Sequence, residues 1–327
     1  MVNRVKDIIT FIRRHPVKIR IVMVCILFTI LIYNVRPGEI LAAFRQARPL
    51  YLIYALILLI PNLMLQFLKW HYLLKDFKPR PPFTTTVKSV LGGFFLGAST
   101  PGRTGELARG LLIPGHSKIK VASLTIVDKG FNQIITYSFG LLSLGYVLPW
   151  PFLLVPIVVG VFFIAILINI HRTRSPLERF FHRFTKSERV DNILAAFDAL
   201  SVKKVMGMLA YSITFYGVYT FQYCCLIRCF TDISIIFAMK TIPLIFMINT
   251  MFPIAIGDFG VKEMAAVHVL GVIGITGGAA FSATLIQNVI SFLLPSIAGG
   301  ILFTFSRPRQ HQEAPASDDR KVLGSEK

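Results

Sequence analysis

The chain has 327 residues, of which 54% are hydrophobic and 16% charged, with a formal net charge of +19 and a mean hydropathy of +0.65. Soluble domains carry about 25% charged residues, so this composition excludes a water-soluble globular protein or enzyme. In a soluble chain the basic balance would point to nucleic acid. Here Lys and Arg cluster between apolar runs, which is the charge pattern of a polytopic membrane protein and implies no nucleic-acid partner.

The first 18 residues form a basic segment, with Arg4, Lys6, Arg13, Arg14 and Lys18. An apolar run at 19–36 follows, with no small-residue cleavage site after it, so an uncleaved signal anchor with a cytoplasmic N-terminus is expected. A helix needs about 20 apolar residues to cross the hydrocarbon core. Six stretches meet or approach that length: 19–36, 50–74, 119–147, 151–171, 204–228 and 278–305. The loop 171–204 between the fourth and fifth is rich in Arg and Lys. Its Leu177, Phe180, Phe181 and Phe184 fall at helical spacing, as in an amphipathic helix on the cytoplasmic surface, with an ordinary solvated loop as the plainer alternative.

The tail 306–327 is polar and reads as disordered and cytoplasmic. Residues 19–305 then make one transmembrane domain of the cell (inner) membrane, all-α, with both termini inside. Cys25, Cys224, Cys225 and Cys229 lack metal-site spacing and read as packed thiols, and no cofactor is expected.

Two regions resist the simple count of spans. Thr84–Thr100 contains Lys88 and ends at Pro101, and the run Leu107–Gly115 covers about 13 Å, less than half the core thickness. Together they predict a hairpin of broken helices that enters from the cytoplasm and returns to it. Ile235–Thr276, interrupted at Pro253–Glu263, predicts a second hairpin opening to the opposite face. Irregular backbone at membrane depth survives only where it is buried in protein or lines a wet cavity. Two such hairpins of opposite entry make an inverted repeat, 50–147 against 204–305, and interrupted segments at matching places point to a substrate site. Two unrelated Pro/Gly kinks are the plainer alternative.

The first hairpin turn reads Ser99-Thr100-Pro101-Gly102-Arg103-Thr104-Gly105-Glu106-Leu107-Ala108-Arg109-Gly110. Gly102 and Gly105 permit a tight turn with exposed amides. Arg103 and Arg109 offer planar donor forks suited to phosphate, and Glu106 opens a half-helix where the dipole favours a carboxylate. The second turn supplies Gly257, Asp258, Gly260, Lys262 and Glu263.

Asp128, Lys129 and Asn132 lie inside the apolar stretch 119–147, where a charge costs about 2.5–3.5 kcal/mol and needs a partner or water. Pairing of Asp128 with Arg103 or Arg109, and of Lys129 with Glu106, is expected. Gln287, Asn288 and Ser291 read as bonds between helices, the Gly93/Gly97 and Gly274/Gly278 spacings as helix packing, and His268 as a packed histidine. No Walker A loop, HExxH or GxSxG occurs in the sequence.

The run from Gly97 to Arg109, the in-membrane Val127-Asp128-Lys129 with Asn132, and the Pro253…Gly257…Gly260…Glu263 turn resemble the transmembrane region of lysylphosphatidylglycerol synthases, a flippase-like family with free-standing members. The resemblance covers about 15–305 and implies a bundle with re-entrant helices that moves a lipid between leaflets. By motif it assigns Arg103, Glu106 and Arg109 to one charged turn and Gly257, Gly260 and Glu263 to the other. Relatives carry Glu-Arg and a later Asp where this chain has Asp128-Lys129 and Asn132. The synthases' soluble aminoacyl-transfer domain has no counterpart here, so lipid aminoacylation by this chain alone is not expected.

The reading that emerges is a membrane protein that binds or translocates an anionic phospholipid or isoprenoid-phosphate lipid. A membrane enzyme, or an accessory subunit working with lipid-biosynthesis enzymes, is the alternative.

Overall fold

A computed structural model of the chain describes residues 37–76, 79–98, 100, 103–145, 200–252 and 259–305. The expected spans at 19–36 and 151–171, the basic loop as far as residue 199, Cys25, both terminal segments, Gly102, Gly257 and Asp258 lie outside the described residues. Every described element is helical.

Helix α1 spans Pro37–Arg45. Pro37 fixes the first φ, while Glu39 in the first turn and Arg45 in the last complement the helix dipole. Helix α2 (Pro49–Leu73) starts on another proline, carries Pro61 inside it, and runs into a 3-10 turn at Leu74–Asp76. It leaves Leu50, Ile53, Ile57 and Ile60 exposed, an apolar face suited to lipid.

Helix α3 (Phe83–Ala98) is followed by a 3-10 helix at Thr104–Leu112, and α4 (Lys118–Leu144) completes the first half. The second half is α5 (Val202–Phe230), α6 (Ile235–Met251), α7 (Val261–Gly271), α8 (Gly277–Asn288), a π-helical turn at Val289–Leu293, and α9 (Leu294–Phe305).

Helices α2 and α5 lie side by side and antiparallel, pinned at both ends. At one end the Arg48 amide donates to the Cys229 carbonyl at 2.8 Å, and Arg48 pairs with Asp232. At the other, Tyr72 Oη donates to the Lys203 carbonyl at 3.3 Å and Lys204 pairs with Asp76.

After α3 the chain folds back on itself. Added Cβ atoms at Gly97 and Gly93 would lie 2.8 Å from Glu106 Cγ and 2.7 Å from Arg109 Cγ, and one at Gly105 would lie 2.1 Å from the Leu96 carbonyl oxygen. The glycine spacing that reads as helix packing thus makes room for two buried charged side chains. Helix α7 likewise folds back on α6, which leaves α5 through a 115° bend. Helix α3 begins near the Asp76 end of the α2–α5 pair and α6 near the Asp232 end.

The contacts between the two halves include two helix crossings. Helix α3 of the first packs on α9 of the second, and α6 of the second packs on α4 of the first. Both crossings run over a glycine. A Cβ at Gly299 would sit 1.9 Å from the Leu91 carbonyl oxygen, and one at Gly140 would sit 2.4 Å from Met247 Cβ. Gly140 and Gly299 are 159 residues apart, as are Asp128 and Gln287, Lys129 and Asn288, and Asn132 and Ser291.

Among the described residues, Pro49–Asp76 and Gly277–Leu302 are each long and apolar enough to cross a membrane. Val202–Phe230 and Ile235–Met251 reach that standard only as a bent pair. Helix α4 has the length, 27 residues, but carries Lys118, Lys120, Asp128 and Lys129.

Candidate functional site

The hairpin tips open onto one cavity of about 390 Å³ between the two halves. Arg103, Thr104 and Glu106 line it from the first turn, Asn249 and Thr250 from α6, Lys262 from α7, and Lys129, Asn132, Asn288 and Ser291 from the long helices behind them.

Glu106, 1% exposed, is the hub of the first half. Its carboxylate meets Arg103 Nε at 2.6 Å, Arg109 Nη2 at 2.9 Å and Lys129 Nζ at 2.5 Å. Arg103 is the one non-glycine residue with positive φ among those described, at +56°. This sparsely populated conformation stores strain of about 1–3 kcal/mol. The same residue stacks its guanidinium 4.4 Å from the Phe292 ring centroid and 5.4 Å from that of Phe94.

Arg109 links the hub to Asp128, to which its Nη1 donates at 3.2 Å, and lies 5.3 Å from the Trp70 ring. Asp128 is also held by Lys69 at 2.8 Å, and Lys69 donates to Asn132 at 2.5 Å. Lone charges in hydrocarbon would each be costly, and the network removes that cost by leaving every carboxylate oxygen facing a cation.

In the second half the two charged side chains are held by neutral groups rather than by each other. Lys262, 2% exposed, donates to Tyr219 Oη and Asn288 Oδ1, each at 3.0 Å. Its ammonium lies 5.2, 5.4 and 5.3 Å from the rings of Tyr219, Tyr223 and Phe246. Glu263 turns away from it, accepting the Gly260 amide at 2.6 Å and Asn288 Nδ2 at 2.7 Å. Behind this pair, Gln222 donates to the Ala55 carbonyl at 2.8 Å and accepts from Asn62 and Ser291.

Five cations (Lys69, Arg103, Arg109, Lys129, Lys262) and three carboxylates (Glu106, Asp128, Glu263) surround the cavity, a surplus of +2 with all of them ionised. Among the described residues no cluster of three His, Cys, Asp or Glu side chains offers a metal site.

The sequence model of a family described as the lysylphosphatidylglycerol synthase TM region matches residues 17–299. The chain belongs to that family. No curated protein and no solved structure is similar enough to the chain to count as a match. Membership in the lysylphosphatidylglycerol synthase TM family, with the apolar helices, makes this a helical membrane protein of lipid-related processes.

Of the residues singled out from the sequence in this member of the family, Arg103, Glu106, Lys129, Asn132 and Lys262 line the cavity. Arg109, Asp128 and Glu263 stand behind it, and Gly260 shapes the turn at φ +97°. The expected pairings of Asp128 with Arg109 and of Lys129 with Glu106 are present.

Four expectations change. Arg109 does not offer a free fork to a phosphate, because both terminal nitrogens are engaged by Asp128 and Glu106. The Gly105 amide, expected to be exposed, donates to Thr100 Oγ1 at 2.6 Å and is not an open anion cradle. The element that Glu106 opens is a 3-10 helix rather than an α-helical half. His268 also differs, being exposed and bonded to the Met264 carbonyl at 2.8 Å.

Sequence reasoning missed Lys69, Tyr219 and Gln222. Each is a polar side chain inside an apolar run, the signal that singled out Asp128. Lys69 sits near the end of its run, where a cation passes for an ordinary flanking residue.

Proposed function

We propose that this chain holds the anionic headgroup of a membrane lipid between its two hairpin tips and passes it from one leaflet to the other. The observation that supports the reading is one cavity lined by Arg103, Lys129 and Lys262 against a single carboxylate, Glu106. Charges at membrane depth mark substrate paths by default, because each costs about 2.5–3.5 kcal/mol on insertion scales.

The hairpins are re-entrant in this reading, as the two halves of an inverted repeat, and 19–36 and 151–171 supply further spans of a six-span bundle. The basic end (Lys75, Arg80, Lys118, Lys120, Lys203, Lys204) faces the cytoplasm of the cell membrane.

Arg103 and Lys129, with side chains 23% and 37% exposed, meet the phosphate from one side and Lys262 from the other. Glu106 sets the charge of the empty site or carries a coupling proton. The acyl or isoprenoid chains stay in lipid, and alternate opening of the hairpins gives each leaflet its turn. The lipid is an anionic phospholipid or an isoprenoid phosphate.

Proteoliposomes loaded with a labelled anionic phospholipid test the proposal. Translocation is expected for the wild type and to fall about tenfold in Arg103→Ala and in Lys129→Gln, the loss of one charge-assisted hydrogen bond. Wild-type rates in both variants would refute it, and a chemically altered lipid in the same vesicles would assign an enzyme instead.

A further inference from the structure

The charged residues around the cavity are largely engaged with one another, yet one wall of it is neutral, polar and unengaged. Gln133 and Thr136 on α4, and Asn249 and Thr250 on α6, line the cavity. Helices α4 and α6 pack on each other, and each contributes two of these side chains to the cavity lining. None of the four takes part in a side-chain hydrogen bond with another described residue, in contrast to Asn62, Gln66, Asn132, Asn288 and Ser291 around them. Beside this wall stand the rings of Tyr219 and Phe246, with centroids 4.9 Å apart.

A phosphodiester alone asks only for cations. Amides and hydroxyls that both donate and accept are the complement of alcohol groups. Aromatic faces alongside fit the C–H face of a ring or polyol.

We propose that the ligand of this cavity carries a hydroxyl-rich group, a polyol or sugar, on its phosphate, and that Gln133, Thr136, Asn249 and Thr250 read those hydroxyls. The inference rests on the anionic-headgroup reading and adds a second specificity element to it. The same chemistry is found on a lipid-linked headgroup and on a free polyol phosphate.

The test measures binding of two lipids of equal charge and equal chains to the full chain in detergent micelles. Phosphatidylinositol offers a ring of hydroxyls, while phosphatidylethanol offers a phosphodiester with none. About tenfold tighter binding of phosphatidylinositol is expected, equivalent to one or two neutral hydrogen bonds. In the double variant Asn249→Leu/Thr250→Val, with folding checked by its melting temperature, the ratio is expected to fall below about threefold.

Equal binding of the two lipids by the wild type overturns the hydroxyl inference and leaves the anion site standing. A preference that persists undiminished in the double variant overturns the assignment of the wall. Binding of neither lipid overturns the anion site and this inference with it. Given the preference, soluble myo-inositol 1-phosphate identifies the source: displacement of the lipid at equal concentration indicates a free polyol phosphate, and failure to displace it indicates a lipid headgroup.

Discussion

Where the first half of the molecule has Asp128, Lys129 and Asn132, the second half has Gln287, Asn288 and Ser291, at a constant distance along the chain. The backbone solution is the same on both sides: a hairpin packed on the partner half's long helix over a glycine. The chemistry is opposite. One half satisfies its buried side chains with ion pairs around Glu106, the other with amides and hydroxyls around Asn288 and Gln222. The four cations of the first half outnumber its two carboxylates, and in the second Lys262 is held by a phenol, an amide and ring faces rather than by a carboxylate. Matching crossings over glycines border the cavity, and the difference in buried charge between the halves gives it a sign.

Substitutions at matching places break or sharpen that comparison. The largest effect is expected for Glu106→Gln, which leaves Arg103, Arg109 and Lys129 without their shared counter-charge. Breaking a buried ion network costs about 3–5 kcal/mol, so a loss of folded, monodisperse protein or a large drop in melting temperature in detergent is expected. Near-normal melting would show that the network is not a folding element.

At the corresponding hub, Glu263→Gln keeps an acceptor for the Gly260 amide and is expected to cost about 1–2 kcal/mol, seen as a small melting shift in the same assay. Equal losses at the two positions would erase the distinction between the halves.

The smallest effect is expected outside the bundle, at Asp232→Asn. The Arg48 hydrogen bond holds the Asp232 carboxyl below the usual carboxylate range. Whatever the pair contributes is therefore present at neutral pH and fades as pH falls into the acid range. With side chains 48% and 68% exposed it is screened by water, and no measurable change in melting is expected.

The helical breaks near Pro101 and after Met251, the charged turn and the pairing of Lys129 with Glu106 were legible in the sequence because they follow local rules: proline and glycine interrupt apolar runs, and a charge in hydrocarbon requires a partner. What was not legible is long-range. Lys69 reaches Asp128 and Asn132 across some 60 residues, and Gln222 reaches Asn62 across 160. No spacing in the chain announces such meetings. Gln287 and Asn288 read as ordinary bonds between helices, and only the packing of α8 behind the second hairpin shows that they stand where Asp128 and Lys129 stand in the first. Arg109 illustrates the converse. Its residue type promised a phosphate fork, but burial between two carboxylates commits it to structure.

The claim on which the account turns is that both hairpin tips touch one headgroup. Its most direct test is the affinity of a single anionic lipid, phosphatidylinositol, for Arg103→Ala and for Lys262→Met, one variant from each tip. The account predicts that each weakens binding about tenfold. Undiminished affinity in either variant would place the lipid on one half alone and contradict a shared site.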